Sequence, residues 1–259
     1  MPTLKIVHVV AGLWKDTGGP AEVIPNLCKA QAETGAEVTL CTLDGDLAPQ
    51  VRALSSTEVD VRIFDYSRNA IRYSAELSRF LRNCRDATVI HNHGQWLYPN
   101  WCAAYWSRRN RIPLVTTPHG TLVPGMLRHS RLKKTIAWNL ADRRLLDGAR
   151  IVHALSEAER QQMAPKISRH AARIVVVPNG VHLPVEVWRS NDSCSRTLLF
   201  LSRLTRIKGI TDLFRAWLAV EASYPNWQLK LVGPVDEEIR NALAEFLGAA
   251  KRAKYVGAV

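Results

Sequence analysis

Paired cysteines and long apolar runs are both missing from this sequence. Its five cysteines are scattered and form no Cys-x-x-Cys pair: Cys28, Cys41, Cys84, Cys102 and Cys194. Their odd number and spacing argue against a disulfide framework and a structural zinc site, and favour reduced thiols in the cytosol. No apolar run approaches the roughly 18 to 20 residues that cross a bilayer. The first ten residues are too short and too strand-like for a signal peptide.

Acidic residues are scarce relative to basic ones. The 35 Lys and Arg residues outnumber the 23 Asp and Glu residues, which gives a net charge of +12. Segment 128–173 alone has eleven basic and four acidic residues. Such a patch suits nucleic acid, an anionic membrane surface or a phosphorylated substrate, with an ordinary solvated helix face as the alternative. Nucleic acid is disfavoured because no recognised binding module with interleaved aromatic residues is present.

Short apolar runs alternate with longer amphipathic segments along most of the chain. The pattern predicts strands at 4–10, 37–42, 59–64, 87–91, 113–117, 150–155 and 173–177. Helical patterns lie between most of them, at 20–34, 70–83, 99–110, 131–147 and 157–164. Ser156 is predicted to cap the last of these helices. Strands that are buried on both faces and separated by helices indicate a mostly parallel, doubly wound sheet.

A second β-α-β-α-β series follows a break in the pattern. Pro178, Asn179 and Gly180 indicate a turn at the break. Strands are then predicted at 197–201, 228–232 and 254–256, with helices at 209–223 and 236–247. The sequence therefore predicts an α/β protein with two Rossmann-like, doubly wound parallel-sheet domains. The first domain spans 1–178 and is joined by a linker at 179–196 to an incomplete second domain at 197–259.

The segment 198–209 is the most informative part of the chain. An apolar strand stops at Ser202, and three cationic residues follow before Gly209 and the next helical pattern: Arg203, Arg206 and Lys208. A loop backbone and a helix N-terminus offer free N–H donors, and Arg and Lys add full charges. The segment predicts a site for a phosphate or diphosphate, with Arg206 as a solvated neighbour.

The turn after the first predicted strand is a second candidate site. Ligands of open α/β sheets lie at the carboxyl ends of the strands. Gly18 and Gly19 would let the backbone approach a ligand closely, and Pro20 fits the first turn of a helix. A tight turn without a ligand is the alternative, because the loop matches neither Gly-x-Gly-x-x-Gly nor the P-loop pattern.

Histidines follow the fourth and fifth predicted strands. If these strands are neighbours, His93 and His119 face one cleft, and His119 is expected to contact a ligand. His91 is predicted to pack inside the structure at its strand end. No metal is predicted, because no carboxylate or cysteine accompanies these histidines at ligand spacing. Aromatic residues near the same edge could stack on a sugar or base, although core packing is expected for at least two of them: Trp14, Trp96, Tyr98 and Trp101.

Six short motifs occur in a fixed order along the chain. They are Gly18-Gly19-Pro20, Thr117-Pro118-His119-Gly120, Val177-Pro178-Asn179-Gly180-Val181, Ser202-Arg203-Leu204 with Lys208-Gly209, Leu231-Val232-Gly233-Pro234, and Tyr255-Val256-Gly257. Together they resemble glycosyltransferase family 4, the retaining nucleotide-sugar transferases with two facing Rossmann domains (the GT-B fold). The resemblance covers nearly all of residues 4–259, and it implies that 1–178 is the acceptor-side domain and 197–259 a partial nucleotide-sugar-binding domain. Each motif is weak by itself, but six in this order are specific.

The resemblance implies a role for each matched residue. Arg203 and Lys208 would hold the donor diphosphate and stabilise charge on the leaving group, and His119 would contact the transferring sugar. The remaining residues expected to bind substrate are Gly18, Gly19, His93, Gly233, Pro234, Tyr255 and Gly257. No metal or other cofactor is implied. The nucleotide-sugar is a co-substrate, and cationic side chains and helix ends stabilise the phosphate charge that a metal would otherwise stabilise.

One family motif has no match in this sequence. The family carries a Glu-x7-Glu motif beyond the position where this sequence ends. Glu237, Glu238 and Glu245 are not that motif, because they precede the strand that contains Tyr255. We therefore expect a truncated reading frame, a fragment, or a subunit completed by another chain.

The leading hypothesis is a cytoplasmic glycosyltransferase, peripheral on the inner face of the cytoplasmic membrane. It would transfer a hexose with retention from a nucleotide-sugar to a cell-surface polysaccharide or lipid-linked acceptor. Segment 128–150 would contact the anionic membrane, although burial against the sheet also explains its apolar stripe of Leu132, Ile136 and Leu140. The alternative is a non-catalytic remnant or an acceptor-binding module, and no nucleic-acid partner is expected.

Overall fold

The chain forms two compact units, Met1–His182 and Leu183–Val259, in a computed structural model. The structure describes residues 3–122, 135–167, 173–181 and 196–258. The predicted linker at 179–196 lies mostly outside the described residues, so the predicted domain boundaries stay predictions. Each unit has its own sheet, and each is described by itself.

The first unit contains a seven-stranded sheet in the order β3-β2-β1-β4-β5-β6-β7, and all neighbouring strands are parallel. The strands are β1 Lys5–Val10, β2 Glu37–Leu43, β3 Asp60–Phe64, β4 Val89–His93, β5 Leu114–Thr117, β6 Ile151–Ala154 and β7 Arg173–Val176. Their order reverses between β1 and β4. The α/β class and the doubly wound parallel sheet are therefore confirmed.

Helices connect most of these strands. They are α1 Gly19–Glu33, α2 Pro49–Ala53, α3 Ala75–Asn83, α4 Tyr98–Asn110, α5 Arg143–Gly148 and α6 Glu157–Met163. The short α2 was not predicted, and β4 extends two residues beyond its predicted end. Pro20 occupies the first turn of α1 and the Ser156 side chain caps α6, as predicted.

The predicted helix at 131–147 is only partly described. A π-helical turn, Trp138–Asp142, precedes α5. Ile136 and Leu140 are 51% and 68% exposed, so burial against the sheet does not explain these two residues, and that alternative is wrong for them. Leu132 lies outside the described residues.

Two apolar clusters cover the two faces of the first sheet. One cluster contains Val7 and Val9 of β1 and packs against α3, α4 and α5. The other contains Val10 and packs against α1 and α2. Because successive side chains of a strand point to opposite faces, His8 shares the α1 face with Val10.

The second unit is a three-stranded parallel sheet in the order β10-β9-β8, with two helices. Its elements are β8 Arg196–Leu201, α7 Ile210–Val220, β9 Trp227–Val232, α8 Arg240–Ala249 and β10 Ala253–Gly257. Phe214 of α7 stacks on Phe246 of α8 with ring centroids 4.2 Å apart. This smaller parallel sheet was predicted.

The ends of β8 and β9 lie unusually close together. A Cβ atom added to Gly233 would lie 2.0 Å from the carbonyl oxygen of Ser202, and Gly233 has a φ of +136°. A larger residue therefore cannot occupy this position without moving the backbone.

The four cysteines in the described part of the chain are free thiols, while Cys194 lies outside it.

Over the described residues, no helix combines the length and apolar character needed to cross a membrane.

Replacing Gly233 with Ala should lower the free energy of unfolding by about 2 to 4 kcal/mol, because the new methyl group collides with the Ser202 backbone. Urea unfolding followed by tryptophan fluorescence measures the change. Gly248→Ala is the matched control, because Gly248 is exposed in α8 and an added Cβ meets no atom within 4 Å. That variant should gain up to about 1 kcal/mol. Equal stabilities of the two variants would refute the packing argument.

Candidate functional site

A cleft of about 830 Å³ opens at the carboxyl edge of the first sheet. It lies where β1 and β4 end, which is the point at which the strand order reverses and where open α/β sheets bind ligands. Its lining includes Trp14, Thr17, Pro20, Arg72, His93, Gln95 and His119. Among the described residues, all those that line the cleft belong to the first unit.

The β1–α1 loop forms one wall of the cleft. Gly18 has a φ of +76° and is the N-cap of α1, so its conformation favours glycine. An added Cβ at Gly18 or Gly19 would meet no atom within 4 Å, which leaves open space beside both residues. Neither lines the cleft itself, whereas Thr17 and Pro20 do. Ligand binding by the two glycines stays a prediction.

The aromatic residues near this edge divide into two groups. Trp14 lines the cleft, and the Arg72 guanidinium lies 4.4 Å from its ring centroid. Trp96, Tyr98 and Trp101 pack against the apolar cluster on the α4 face, as expected for at least two of the four.

The loop after β4 is held in an unusual conformation by a buried carboxylate. Trp96 has a φ of +76°, and its backbone N–H donates a 3.0 Å hydrogen bond to Oδ1 of Asp142. Burial raises the pKa of Asp142 to about 6, and the Trp96 hydrogen bond partly offsets this effect. The loop places Gln95 at the cleft, where both side-chain amide atoms are buried without a hydrogen-bond partner among the described residues. Buried amides without partners are rare, so Gln95 is a candidate ligand contact that the sequence did not single out.

His119 is fixed in a strained turn by Glu159 of α6. His119 and Gly120 have φ values of +52° and +74°. Oε1 of Glu159 accepts a 2.7 Å hydrogen bond from the Gly120 N–H, and Oε2 accepts another of 2.7 Å from the Leu155 N–H. Sequence analysis did not single out Glu159 as a site residue, because its distant partner Gly120 is not visible in local spacing.

Three histidines and a glutamine form a continuous hydrogen-bonded row. Nε2 of His119 lies 3.0 Å from Nδ1 of His93, and Nε2 of His93 lies 2.9 Å from Nδ1 of His8. Nε2 of His8 lies 2.7 Å from Oε1 of Gln31 in α1. The predicted proximity of His93 and His119 is confirmed. His8 and Gln31 were missed, because neither stands at the end of a strand.

Burial keeps these imidazoles neutral near neutral pH. Desolvation lowers the pKa of His8 to about 4, and the hydrogen bond to Gln31 opposes it. Desolvation, followed by the nearby His153, lowers the pKa of His119 to about 4. Burial and the surrounding histidines also hold the pKa of His93 well below its usual range.

A second row begins at His91, which is buried as predicted although β4 continues past it. Nε2 of His91 lies 2.8 Å from Oγ1 of Thr117, which lies 2.9 Å from Nδ1 of His153. Nε2 of His153 donates to the carbonyl of Val177 over 2.7 Å. This row connects β4, β5 and β6 to the end of β7.

His8, His91 and His93 bring three ring nitrogens within 4.8 Å of one another. Neutral imidazoles are good metal ligands, but His8 and His93 already bond to each other, so a metal would have to break this hydrogen bond. The absence of a metal from the site stays a prediction.

The second unit presents the cationic loop after β8. The side chain of Thr205 accepts from the Lys208 N–H, and Gly209, with a φ of +73°, is the N-cap of α7. Arg203 lies 3.6 Å from Asp236, and Arg206 lies 3.9 Å from Glu238. Lys208 is exposed, and no carboxylate of the described residues lies within 4.0 Å of it.

The remaining predicted site residues are joined to one another around the carboxyl end of β9. The Tyr255 hydroxyl donates to the Gly233 carbonyl over 2.9 Å. The Gly233 N–H donates to the Gly257 carbonyl over 2.8 Å, and the Pro234 carbonyl accepts from the Leu204 N–H over 2.8 Å. These contacts give the four residues a structural role, and their binding role stays a prediction.

Acidification should destabilise the protein through the buried histidines. In the unfolded chain, the histidine side chains become protonated below about pH 6.5. In the folded protein, His8 and His119 stay unprotonated down to about pH 4. Stability is therefore lost as pH falls from about 6.5 to 4. His8→Gln should reduce the loss of unfolding free energy between pH 7 and pH 5 by about 2 kcal/mol, as measured by urea unfolding at both values. An unchanged pH dependence in His8→Gln would contradict the buried neutral state.

Residues 18–180 match the model of a family described as a glycosyl transferase 4-like domain. The chain is also similar to two curated proteins, each named GDP-mannose:cellobiosyl-diphosphopolyprenol alpha-mannosyltransferase, from Xanthomonas campestris and Xanthomonas oryzae pv. oryzae. Each is 26% identical over 251 residues, which cover 93% of this chain. The chain spans 64% of the length of each of these relatives.

Solved structures share the fold at low sequence identity. Anabaena HepE in complex with UDP and glucose has a TM-score of 0.70 at 18% identity, covering 99% of this chain and 70% of its own. A glycosyltransferase from Rickettsia africae has a TM-score of 0.66 at 17% identity, covering 100% of this chain and 69% of its own. These similarities support the Rossmann-like GT-B architecture. Because the family model matches more than half of the residues, this chain belongs to the glycosyl transferase 4-like domain family.

Proposed function

We propose that the protein transfers a hexose from a nucleotide-sugar to a cell-surface polysaccharide or a lipid-linked sugar, with retention of anomeric configuration. The observation that carries this proposal is the family match over residues 18–180. The similarity to named mannosyltransferases over 93% of the chain supports it. Those relatives are named for a GDP-mannose donor and a diphosphopolyprenol-linked acceptor, and this combination is the first to test.

The cationic loop of the second unit is the proposed diphosphate site. Arg203 and Lys208 supply full positive charges, and the α7 N-terminus begins directly after Gly209. The lack of an ion-pair partner at Lys208 among the described residues leaves its ammonium available for an anion. Charge that develops on the departing diphosphate would be stabilised by these groups without a metal or other cofactor.

The cleft of the first unit is the proposed sugar site. His119 would contact the transferring sugar, with His93 behind it and the Gly18-Gly19 turn alongside. The unpartnered amide of Gln95 would add a donor and an acceptor for sugar hydroxyls. On the second unit, we propose that the connected group of Gly233, Pro234, Tyr255 and Gly257 shapes the donor pocket.

We further propose a peripheral contact with the inner face of the cytoplasmic membrane through segment 128–150. Exposed Ile136 and Leu140 lie beside the exposed arginines Arg143 and Arg144. Apolar side chains flanked by cations are the pattern of an interfacial helix on anionic lipid.

Replacing both Ile136 and Leu140 with Ser should weaken binding to vesicles that contain anionic phosphatidylglycerol by at least about tenfold, because each loses buried apolar area. Vesicle co-sedimentation measures the change. Leu218→Ser, an exposed apolar residue of α7, is the control and should bind as the wild type does. If the double variant binds vesicles as strongly as the wild type, this segment does not contact the membrane.

Arg203→Ala and Lys208→Ala should each lower kcat/KM by roughly 10- to 100-fold, since a hydrogen bond to a charged group contributes about 1.5 to 3 kcal/mol. The assay follows transfer of labelled hexose from GDP-mannose or UDP-glucose to a diphosphopolyprenol-linked oligosaccharide. Arg215→Ala is the control, because Arg215 is exposed on α7 and pairs with Asp212. The anomeric configuration of the product, read by NMR, tests retention.

The alternative is a non-catalytic acceptor-binding module. Binding of the diphosphopolyprenol-linked oligosaccharide without turnover on any tested donor would favour it over the transferase. If Arg203→Ala instead leaves turnover unchanged, the proposed diphosphate site is wrong.

A further inference from the structure

We propose that Gln31, acting through His8 and His93, determines which ring nitrogen of His119 carries the proton. In this arrangement, Nδ1 of His119 faces the cleft as a hydrogen-bond acceptor and selects a hydroxyl group over an anionic oxygen. Gln31, His8 and His93 are positioning residues, and the consequence for the ligand rests on the proposed function. The protonation pattern itself is testable without any activity.

The imidazoles of the row are uncharged. The side chains of His8 and His93 are 0% and 2% exposed, so protonating either would bury an unsolvated cation. The ionisable groups that act on His93 are His8, His91, His119 and His153, and each disfavours its protonation. The row therefore consists of neutral imidazoles, each with one N–H donor and one acceptor nitrogen.

Gln31 determines the position of each proton along the row. Oε1 of Gln31 can only accept, so Nε2 of His8 donates to it and Nδ1 of His8 must accept. Nε2 of His93 therefore donates to His8, which leaves Nδ1 of His93 as an acceptor. Nε2 of His119 donates to that nitrogen in turn. One amide orientation thus sets the tautomers of all three rings.

His119 forms the end of the row at the cleft. His119 lines the cleft, and its turn is fixed by the Glu159 hydrogen bond to Gly120. Nε2 of His119 is engaged with His93, and no described residue forms a hydrogen bond with Nδ1. A neutral ring that donates through Nε2 presents a lone pair at Nδ1. A sugar hydroxyl can donate to this lone pair, whereas an ionised phosphate oxygen, which only accepts, is repelled.

Gln31 is half-buried on α1, so it can be replaced without disturbing the core. Gln31→Glu keeps an obligate acceptor and should preserve the tautomers. Gln31→Lys supplies an obligate donor and should reverse the direction of every hydrogen bond in the row. The proton on His119 would then lie on Nδ1. Glu33→Gln is the charge-matched control for the Lys variant, because loss of the carboxylate also raises the net charge of α1 by one and Glu33 lies outside the row.

Long-range 1H–15N spectra of 15N-histidine-labelled protein distinguish protonated from unprotonated ring nitrogens. Spectra are recorded at pH 8, where a histidine of ordinary pKa is neutral. His119→Gln assigns the signals. We expect an unprotonated Nδ1 at His119 in the wild type, Gln31→Glu and Glu33→Gln, and a protonated Nδ1 in Gln31→Lys.

Three results would overturn the inference. The first is a protonated Nδ1 at His119 in the wild type, and the second is an unprotonated Nδ1 in Gln31→Lys. The third is stoichiometric Zn²⁺ binding that is lost in His8→Gln, because this would assign the buried histidines to metal ligation.

Kinetics then test the consequence for the ligand. With a donor that the wild type uses, Gln31→Lys should lower kcat/KM by about tenfold, while Gln31→Glu and Glu33→Gln stay within about twofold. Equal losses in both Gln31 variants would contradict the acceptor role. A wild type that transfers nothing would refute the proposed function, and the spectra would still decide the protonation pattern.

Discussion

The parallel pairing of β1, β4 and β5 is the constraint on which the candidate site depends. Val10 pairs with His93, and His93 pairs with Thr117, so the three strands end at the same level. Parallel strands all present their carboxyl ends to one edge of the sheet, and the strand order reverses between β1 and β4. The loops that follow these strands therefore diverge around one cleft instead of closing over each other.

The same register explains why polar side chains are buried beneath the cleft. His8, His91 and His93 lie on one face of β1 and β4, where water is excluded. An unpaired polar group is costly in such a place, so each imidazole bonds to another polar group of the sheet or of α1. The resulting rows cross the sheet perpendicular to its strands. They fix the side chains at the edge more firmly than apolar packing alone would.

The first α-helix of each unit begins at a glycine of positive φ, although the backbone at the two glycines differs: ψ is −141° at Gly18 and 20° at Gly209. The cleft of the first unit contains buried neutral imidazoles and the Gln95 amide, which suit hydroxyl groups. The loop before Gly209 in the second unit carries arginine and lysine, which suit phosphate. The proposed division between a sugar site and a diphosphate site follows from this contrast.

The sequence by itself determined the strands, most of the helices and their order, because periodicity, caps and turn residues are encoded in neighbouring positions. It also predicted that His93 and His119 would face one cleft if β4 and β5 were neighbours, and the structure supplies that pairing. Only the tertiary structure decided the partners of His8, Gln31 and Glu159, and the contact that requires Gly233 to be glycine. Those partners depend on register, and a shift of one residue would turn His8 to the opposite face of the sheet.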